Sequence, residues 1–287
     1  MKIFLHTVYL IFCADCGHLN GHFQDTEEFF NKLYFKANKI EYNTSSYVNE
    51  SFHARVSEIY IPKVEFLEEA LQTRDFSVLD IGCGAGHFVA ACLASGIDAY
   101  GIDVSESSVK FGNQNLVHQY GNNHLKFVNT STLVEEILNT NSTLISAIGV
   151  IEHIQDLPTL FEAIRQSKAK YIYYSVPMAS LSVALENSLS TVFPRQLSAD
   201  HTHLFTEKSL IKMNQLMNVN PIAEWRFGTD IIDLLRSLSV MGQTSQMSIK
   251  AQDFFFEPLK ASIDDLQAVL DVNHFCSEVH VLAKKES

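Results

Sequence analysis

No stretch of this chain is apolar for long enough to span a bilayer, so no membrane partner is expected. Basic residues are scarce. The 21 Lys and Arg stand against 33 Asp and Glu, a formal net charge of −12. That field repels phosphate backbones, and no Lys/Arg-rich stripe offsets it, so a nucleic-acid partner is not expected either. The five cysteines (Cys13, Cys16, Cys83, Cys92 and Cys276) are odd in number and mostly lie in apolar segments. That argues against a disulfide framework and suits reduced thiols in a cytosolic protein. A signal peptide is also missing its parts. His6 and Thr7 interrupt the apolar stretch after Lys2, Phe12 stands where a lipoprotein-type site before Cys13 wants a small residue, and no A-x-A-like site follows. The expectation is a mature N-terminal segment and a cytoplasmic protein. Internal repeats and low-complexity tracts are absent too.

What is present is an ordinary globular composition. Of the 287 residues, 46% are hydrophobic and 19% charged, enough to bury a sizeable core. Residues 1–50 have no clean periodicity. An apolar stripe over 51–72 predicts a helix that Pro62 kinks or restarts. From Ser77 the pattern alternates. Strands are expected at Val78–Ile81, Ala99–Asp103, Leu125–Val128, Leu144–Val150 and Tyr171–Val176. Helices are expected at His87–Ser95, Ser105–Tyr120 and Leu157–Gln166. This rhythm argues an α/β domain whose parallel sheet is covered on both faces. After Pro177 it breaks. Residues 178–205 are weakly helical, Thr206 is a candidate cap for a helix at Glu207–Met217, and Ala223–Phe227 is a candidate strand. Residues 229–272 read as mostly helical, and Glu278–Ala283 as a last strand.

The first strand stops in a glycine turn, "VLDIGCGAGHF", with Gly82, Gly84 and Gly86 spaced G-x-G-x-G and Asp80 two residues before it. A dinucleotide fold wants G-x-G-x-x-G, but the third place is taken by His87, so NAD is disfavoured. The rest of the logic holds. Glycines let backbone N–H groups approach a ligand, at the sheet edge where open α/β folds bind them. Asp103 ends the second strand, 21 residues after Gly82. An acid there accepts hydrogen bonds from a free ribose diol and would repel a 2′-phosphate. Asp80 adds a second negative charge, awkward for a pyrophosphate and favourable for a cationic ligand.

"VLDIGCGAGHF", "YGIDVS", "FVNTS" and "GVIEHIQD" together resemble the class I S-adenosylmethionine-dependent methyltransferases, firmly over about residues 75–180. The resemblance implies a Rossmann-like seven-stranded sheet, mostly parallel with the last strand antiparallel, plus a helical N-terminal segment and helical insertions. It implies S-adenosylmethionine as cofactor and S-adenosylhomocysteine as product. Asp80, Gly82, Cys83, Gly84 and Gly86 would wrap the methionine moiety. Asp103 would hold the ribose and Val104 pack on the adenine. Asn129, with Thr130, stands where many relatives use Asp on the adenine amine, and Val150 completes the cofactor set.

Methyl transfer needs an acceptor held in line in a dry site, and a base only when the acceptor's proton has a high pKa. Glu152 and His153 follow the fourth strand, and the pair resembles the "EH" of small-molecule O-methyltransferases. His153 is a candidate base or a packing residue of its loop. His201 and His203, beside Asp200, are rival catalytic candidates, or polar residues of a helix-entry loop. Tyr42 and Tyr47 lie in the N-terminal part that closes over the cofactor in relatives.

"FCADCGH" has the spacing of one zinc knuckle at Cys13 and Cys16. A structural zinc needs four ligands, and there is no second C-x-x-C, so no metal is expected. The stretch resembles the second half of the zinc ribbon on some bacterial methyltransferases of nucleotide-sugar and natural-product pathways, whose first half would lie upstream of Met1. "EWRFGTDIIDLLRSL" resembles the same carbohydrate-pathway relatives. The expected division is a segment 1–50 serving as knuckle and lid, and a methyltransferase domain 51–287, capped over its substrate by 178–205 and 228–275. A homodimer through the helical insertion is open. The expected partner is a small polar metabolite: a sugar, a nucleotide-linked sugar or a cell-surface polysaccharide precursor, methylated on oxygen. A non-catalytic cofactor-binding scaffold or regulatory subunit, or an aminopropyltransferase-like enzyme on the same fold, remains the alternative.

Overall fold

The computed structural model describes residues 10–21, 49–121, 123–189, 196, 201–244 and 248–286. Tyr42, Tyr47 and most of the expected lid 1–50 lie outside them. Strand β1 (Leu10–Phe12) and strand β2 (Leu19–Gly21) form an antiparallel hairpin. Helix α1 (Asn49–Arg55) runs through a π turn (Val56–Tyr60) into α2 (Ile61–Leu71). Pro62 starts the second helix, where its missing N–H has no partner to lose. Then come β3 (Ser77–Ile81), α3 (His87–Ala94), β4 (Asp98–Asp103), α4 (Glu106–Tyr120), β5 (Leu125–Phe127), α5 (Thr130–Asn139) and β6 (Leu144–Ile148). Helix α6 (Leu157–Gln166), β7 (Tyr171–Pro177), α7 (Leu181–Ser188), β8 (His203–Leu204), α8 (Glu207–Met217) and β9 (Val219–Phe227) follow. The chain closes with α9 (Asp230–Thr244), α10 (Ile249–Lys260), α11 (Ile263–Val272) and β10 (Glu278–Lys285).

Seven strands form one sheet in the order β5-β4-β3-β6-β7-β10-β9, mostly parallel with the last strand of the chain antiparallel. The register of β3 on its parallel neighbours sets Asp80 opposite Gly101 of β4 and Ser146 of β6. Being covered on both faces, β3 reads as a nearly continuous apolar run. The sequence reading began this strand at Ala223, after Pro221. The strand nonetheless runs through that proline, and β9 lies at the edge of the sheet, where proline is tolerated. Helix α5 was not expected from sequence. Leu133, Val134, Ile137 and Leu138 give it an apolar face, of which only Ile137 is fully buried.

By compactness the chain divides into two units. One comprises residues 23–174, 214–223 and 281–287. Its core packs Val64 and Leu67 of α2 with Val78 of β3, Phe88 and Val89 of α3, and Leu144 and Tyr173 of the sheet. The other comprises residues 1–22, 175–213 and 224–280. There the buried Asp230 joins three separate stretches. Its carboxylate accepts the Ser182 N–H at 2.9 Å, the Ser277 N–H at 2.9 Å and the Gln267 amide at 3.3 Å. In the same unit β2 pairs with β8, so the N-terminal hairpin becomes a three-stranded sheet.

Helix α4 is capped as its sequence predicts, Ser105 accepting the Ser108 N–H. Mid-helix, it carries Gly112. A Cβ there would run into the Leu125 side chain and the Ala85 carbonyl. Alanine normally stabilises a helix interior by about 1 kcal/mol over glycine. Gly112→Ala should instead destabilise by about 1–3 kcal/mol through overpacking. The urea midpoint reads the sign.

Candidate functional site

The site is built from the carboxyl ends of β3, β4 and β6 in the first unit. Gly82, Gly84 and Gly86 have φ of +65°, +52° and +76°, a left-handed run that side chains resist. The turn is closed by the Gly86 N–H on the Cys83 carbonyl at 2.8 Å, and it is tied to β4 by the Gly82 and Cys83 N–H groups on the Ile102 carbonyl. A Cβ at Gly82 would stand 2.5 Å from Cγ2 of Val150, so the residue after β6 packs directly on the turn.

Asp103 spans the gap between strand ends. One carboxylate oxygen accepts the Gly84 N–H at 2.7 Å and the other accepts the Ser105 N–H at 2.7 Å. Each oxygen keeps acceptor capacity for a further donor. Burial raises this carboxyl above its ordinary value, against the lowering effect of the Ser105, Gly84 and Val104 N–H groups. Asp80 is 4% exposed, and burial raises it to about 7 although the Ser146 hydroxyl donates to it at 2.7 Å. The neighbouring Asp103 pushes in the same upward direction as burial. Burial, with Asp103 and Asp80, also holds the Cys83 thiol protonated. Two acids with spare acceptor capacity suit a ligand that is cationic at one point and carries hydroxyls at another.

Val104 is half-buried beside Asp103. Asn129 and Thr130 are exposed at the entry to α5, where the Asn129 N–H donates to the Thr132 hydroxyl at 3.1 Å. Glu152 and His153 sit in a single 3₁₀ turn (Ile151–His153). The His153 N–H bonds the Val150 carbonyl at 3.0 Å, which places this turn one residue contact from Gly82. Glu152 is buried, its nearer oxygen 4.0 Å from Nε2 of His153. All of these residues belong to one unit. His201 and His203 belong to the other. His201 Nδ1 lies 3.0 Å from the Gln196 carbonyl. His203 is buried on β8, and its Nδ1 meets Nε2 of His18 at 3.0 Å. Burial, then His203, pushes His18 down to about 4. His203 is thus tied into the knuckle Cys13–His18, whose Gly17 N–H bonds the Cys13 carbonyl at 2.8 Å. Ser146 was missed from sequence. A lone serine inside the apolar run of a buried strand was the available signal.

A family model described as a methyltransferase domain matches residues 52–224. None of the curated proteins compared matches the chain. Among solved structures, magnesium protoporphyrin IX methyltransferase from Synechocystis, with bound SAH, is similar at 13% identity and TM-score 0.55, over 90% of this chain and 97% of that one. Geranyl diphosphate C-methyltransferase from Streptomyces coelicolor aligns at 15% identity and TM-score 0.48, over 85% of each chain. A SAM-dependent methyltransferase from Archaeoglobus fulgidus aligns at 16% identity and TM-score 0.48, over 91% of this chain and all of that one. The first of these likenesses supports the fold alone.

Asp80 binds a proton in the folded chain over a pH range in which it is ionised when unfolded. The stability it contributes is therefore present on the acid side and is lost as pH rises from its unfolded value toward about 7. Asp80→Asn keeps an acceptor for Ser146 and removes the buried charge. It should raise the Tm of the ligand-free protein by several degrees at about pH 8 and change it little at about pH 4.5. Paired melts of the two proteins across that range check the sign.

Proposed function

Because the chain belongs to the methyltransferase-domain family, as an S-adenosylmethionine-dependent enzyme, we propose that it methylates an oxygen of a small polar metabolite: a sugar, a nucleotide-linked sugar or a cell-surface polysaccharide precursor. S-Adenosylmethionine supplies a methyl group already activated by its sulfonium. In this reading the turn from Gly82 to Gly86 cradles the methionine moiety with Asp80, and Asp103 takes the ribose hydroxyls. Val104 packs on the base, with Asn129 and Thr130 at its edge and Val150 behind the turn. The glycine φ values and the spare acceptor sites on Asp103 support this, because the turn admits no Cβ at Gly82 and both Asp103 oxygens are already oriented by backbone donors.

The observation that carries the oxygen acceptor is the 3₁₀ turn bearing Glu152 and His153, held against the glycine turn through Val150. A sugar hydroxyl is a poor nucleophile until it loses its proton. His153 takes that proton, with a carboxylate oxygen of the buried Glu152 4.0 Å from its Nε2. Segments 178–205 and 228–275 are the proposed substrate cap, and the helical insertion is a candidate dimer face. The sugar class rests on the resemblance of "EWRFGTDIIDLLRSL" and on the net charge of −12, which disfavours nucleic acid. Among the described residues no helix is long and apolar enough to cross a membrane, and a cytoplasmic location remains part of the proposal.

Incubation with S-adenosylmethionine and a panel of nucleotide sugars should give one product heavier by a single methylene unit, by mass spectrometry. A panel in which only carbon- or nitrogen-nucleophile acceptors gain mass would reject the oxygen assignment. With the true acceptor, His153→Ala should lower the single-turnover rate by about 10²–10⁴-fold at saturating cofactor. His201→Ala and His203→Ala should stay within about tenfold of wild type. A His153 variant with a near wild-type rate would exclude the base.

A further inference from the structure

The assignments above leave one buried polar side chain beside the glycine turn without a use. His87 opens α3 directly after Gly86 and is 6% exposed. Its ring stacks on Phe52 of α1 on one side, with centroids 4.4 Å apart and planes at 29°. On the other it stacks on Tyr60, which ends the π turn, at 5.5 Å and 11°. Burial, then the Arg55 guanidinium, pushes the imidazole down to about 4, so the ring is neutral at neutral pH. A neutral imidazole carries one N–H donor and one acceptor nitrogen. Among the described residues nothing hydrogen-bonds Nε2, although that atom is buried. An orphaned buried nitrogen is destabilising, and a phenylalanine would serve the stack equally well. The imidazole makes sense if its partner arrives with a ligand. A π turn in the segment that grips it fits the same reading, since such turns collect at functional sites.

The charges around the turn say which part of the ligand that is. S-Adenosylmethionine is cationic at its sulfonium and amine and anionic only at its α-carboxylate. The Asp80 and Asp103 side is hostile to a carboxylate. The His87 side is the reverse. It offers the N-terminus of α3, the nearby Arg55, and the ammonium of Lys63, 5.9 Å from the centre of the Tyr60 ring. We propose that His87 is a cofactor-binding residue, its Nε2–H donating to the α-carboxylate of S-adenosylmethionine while Phe52 and Tyr60 hold the ring in place. The inference rests on the assignment of the glycine turn to the cofactor made above.

The test compares two ligands by calorimetry: S-adenosylhomocysteine, and 5′-methylthioadenosine, which has the same nucleoside thioether but no amino-acid end. His87→Phe should weaken the first by about tenfold or more and leave the second unchanged. His87→Gln, which returns an amide N–H to the region of Nε2, should recover part of the loss. Phe52→Leu keeps Nε2 but loosens the ring. It should show the same selectivity at smaller size, and it serves should the Phe variant fail to fold. Equal weakening of both ligands would make His87 a packing residue only, and no weakening of either would remove it from the site. Either result overturns the proposal. If the wild-type chain bound neither ligand, the assignment of the glycine turn would itself fall, which is a different and distinguishable outcome.

Discussion

The Asp103 carboxylate is the fixed point of the site. With one oxygen it holds the Gly84 N–H in the turn after β3, and with the other it holds the Ser105 N–H at the start of α4. Three left-handed glycines within five residues lose more conformational freedom on folding than other residues would, so the turn needs an external tie. Charge-assisted bonds at 2.7 Å provide one, and they also account for why an acid tolerates this degree of burial. The same carboxylate couples the strand that ends in the turn to the helix that packs across it, where Gly112 lets α4 come close to Ala85.

The first half of the fold was legible because each element is locally consistent. Apolar runs bounded by glycine or by a capping serine mark β3 to β7, and Asp156 and Pro158 open α6 as their positions suggest. The glycine turn was legible from spacing alone, since backbone conformation there is dictated by residue type. What escaped depends on partners distant in sequence. Ser146 reaches Asp80 across 66 residues, and His203 meets His18 across 185. No local pattern encodes those pairings. The setting of His87 was hidden for a related reason. In sequence it merely displaces a glycine, and only packing shows it gripped by Phe52 and Tyr60 from a helix that ends before β3 begins.

A buried and a half-buried acid, Asp80 and Asp103, with raised proton affinity on adjacent strands make the turn a place where charge is held back rather than displayed. A cation arriving there favours ionisation of Asp80, so its binding is coupled to loss of a proton near neutral pH. The acidic surface of the whole chain then matters less to such a cation than these two groups, because exposed charges are screened within about 8–10 Å by physiological salt and buried ones are not.

The pairing of β2 with β8 also carries a consequence for synthesis. The N-terminal hairpin leaves the ribosome early, yet its third strand, at His203–Leu204, is translated some 185 residues after His18. At elongation rates of about 5–20 residues per second that delay is about 10–40 s. Throughout it, the Cys13 and Cys16 thiols, which in the finished sheet lie in a turn anchored by the Thr206 hydroxyl on the Cys16 carbonyl, belong to a hairpin too short to persist alone. The nascent chain therefore leaves both thiols outside their finished sheet for longer than most small domains take to fold.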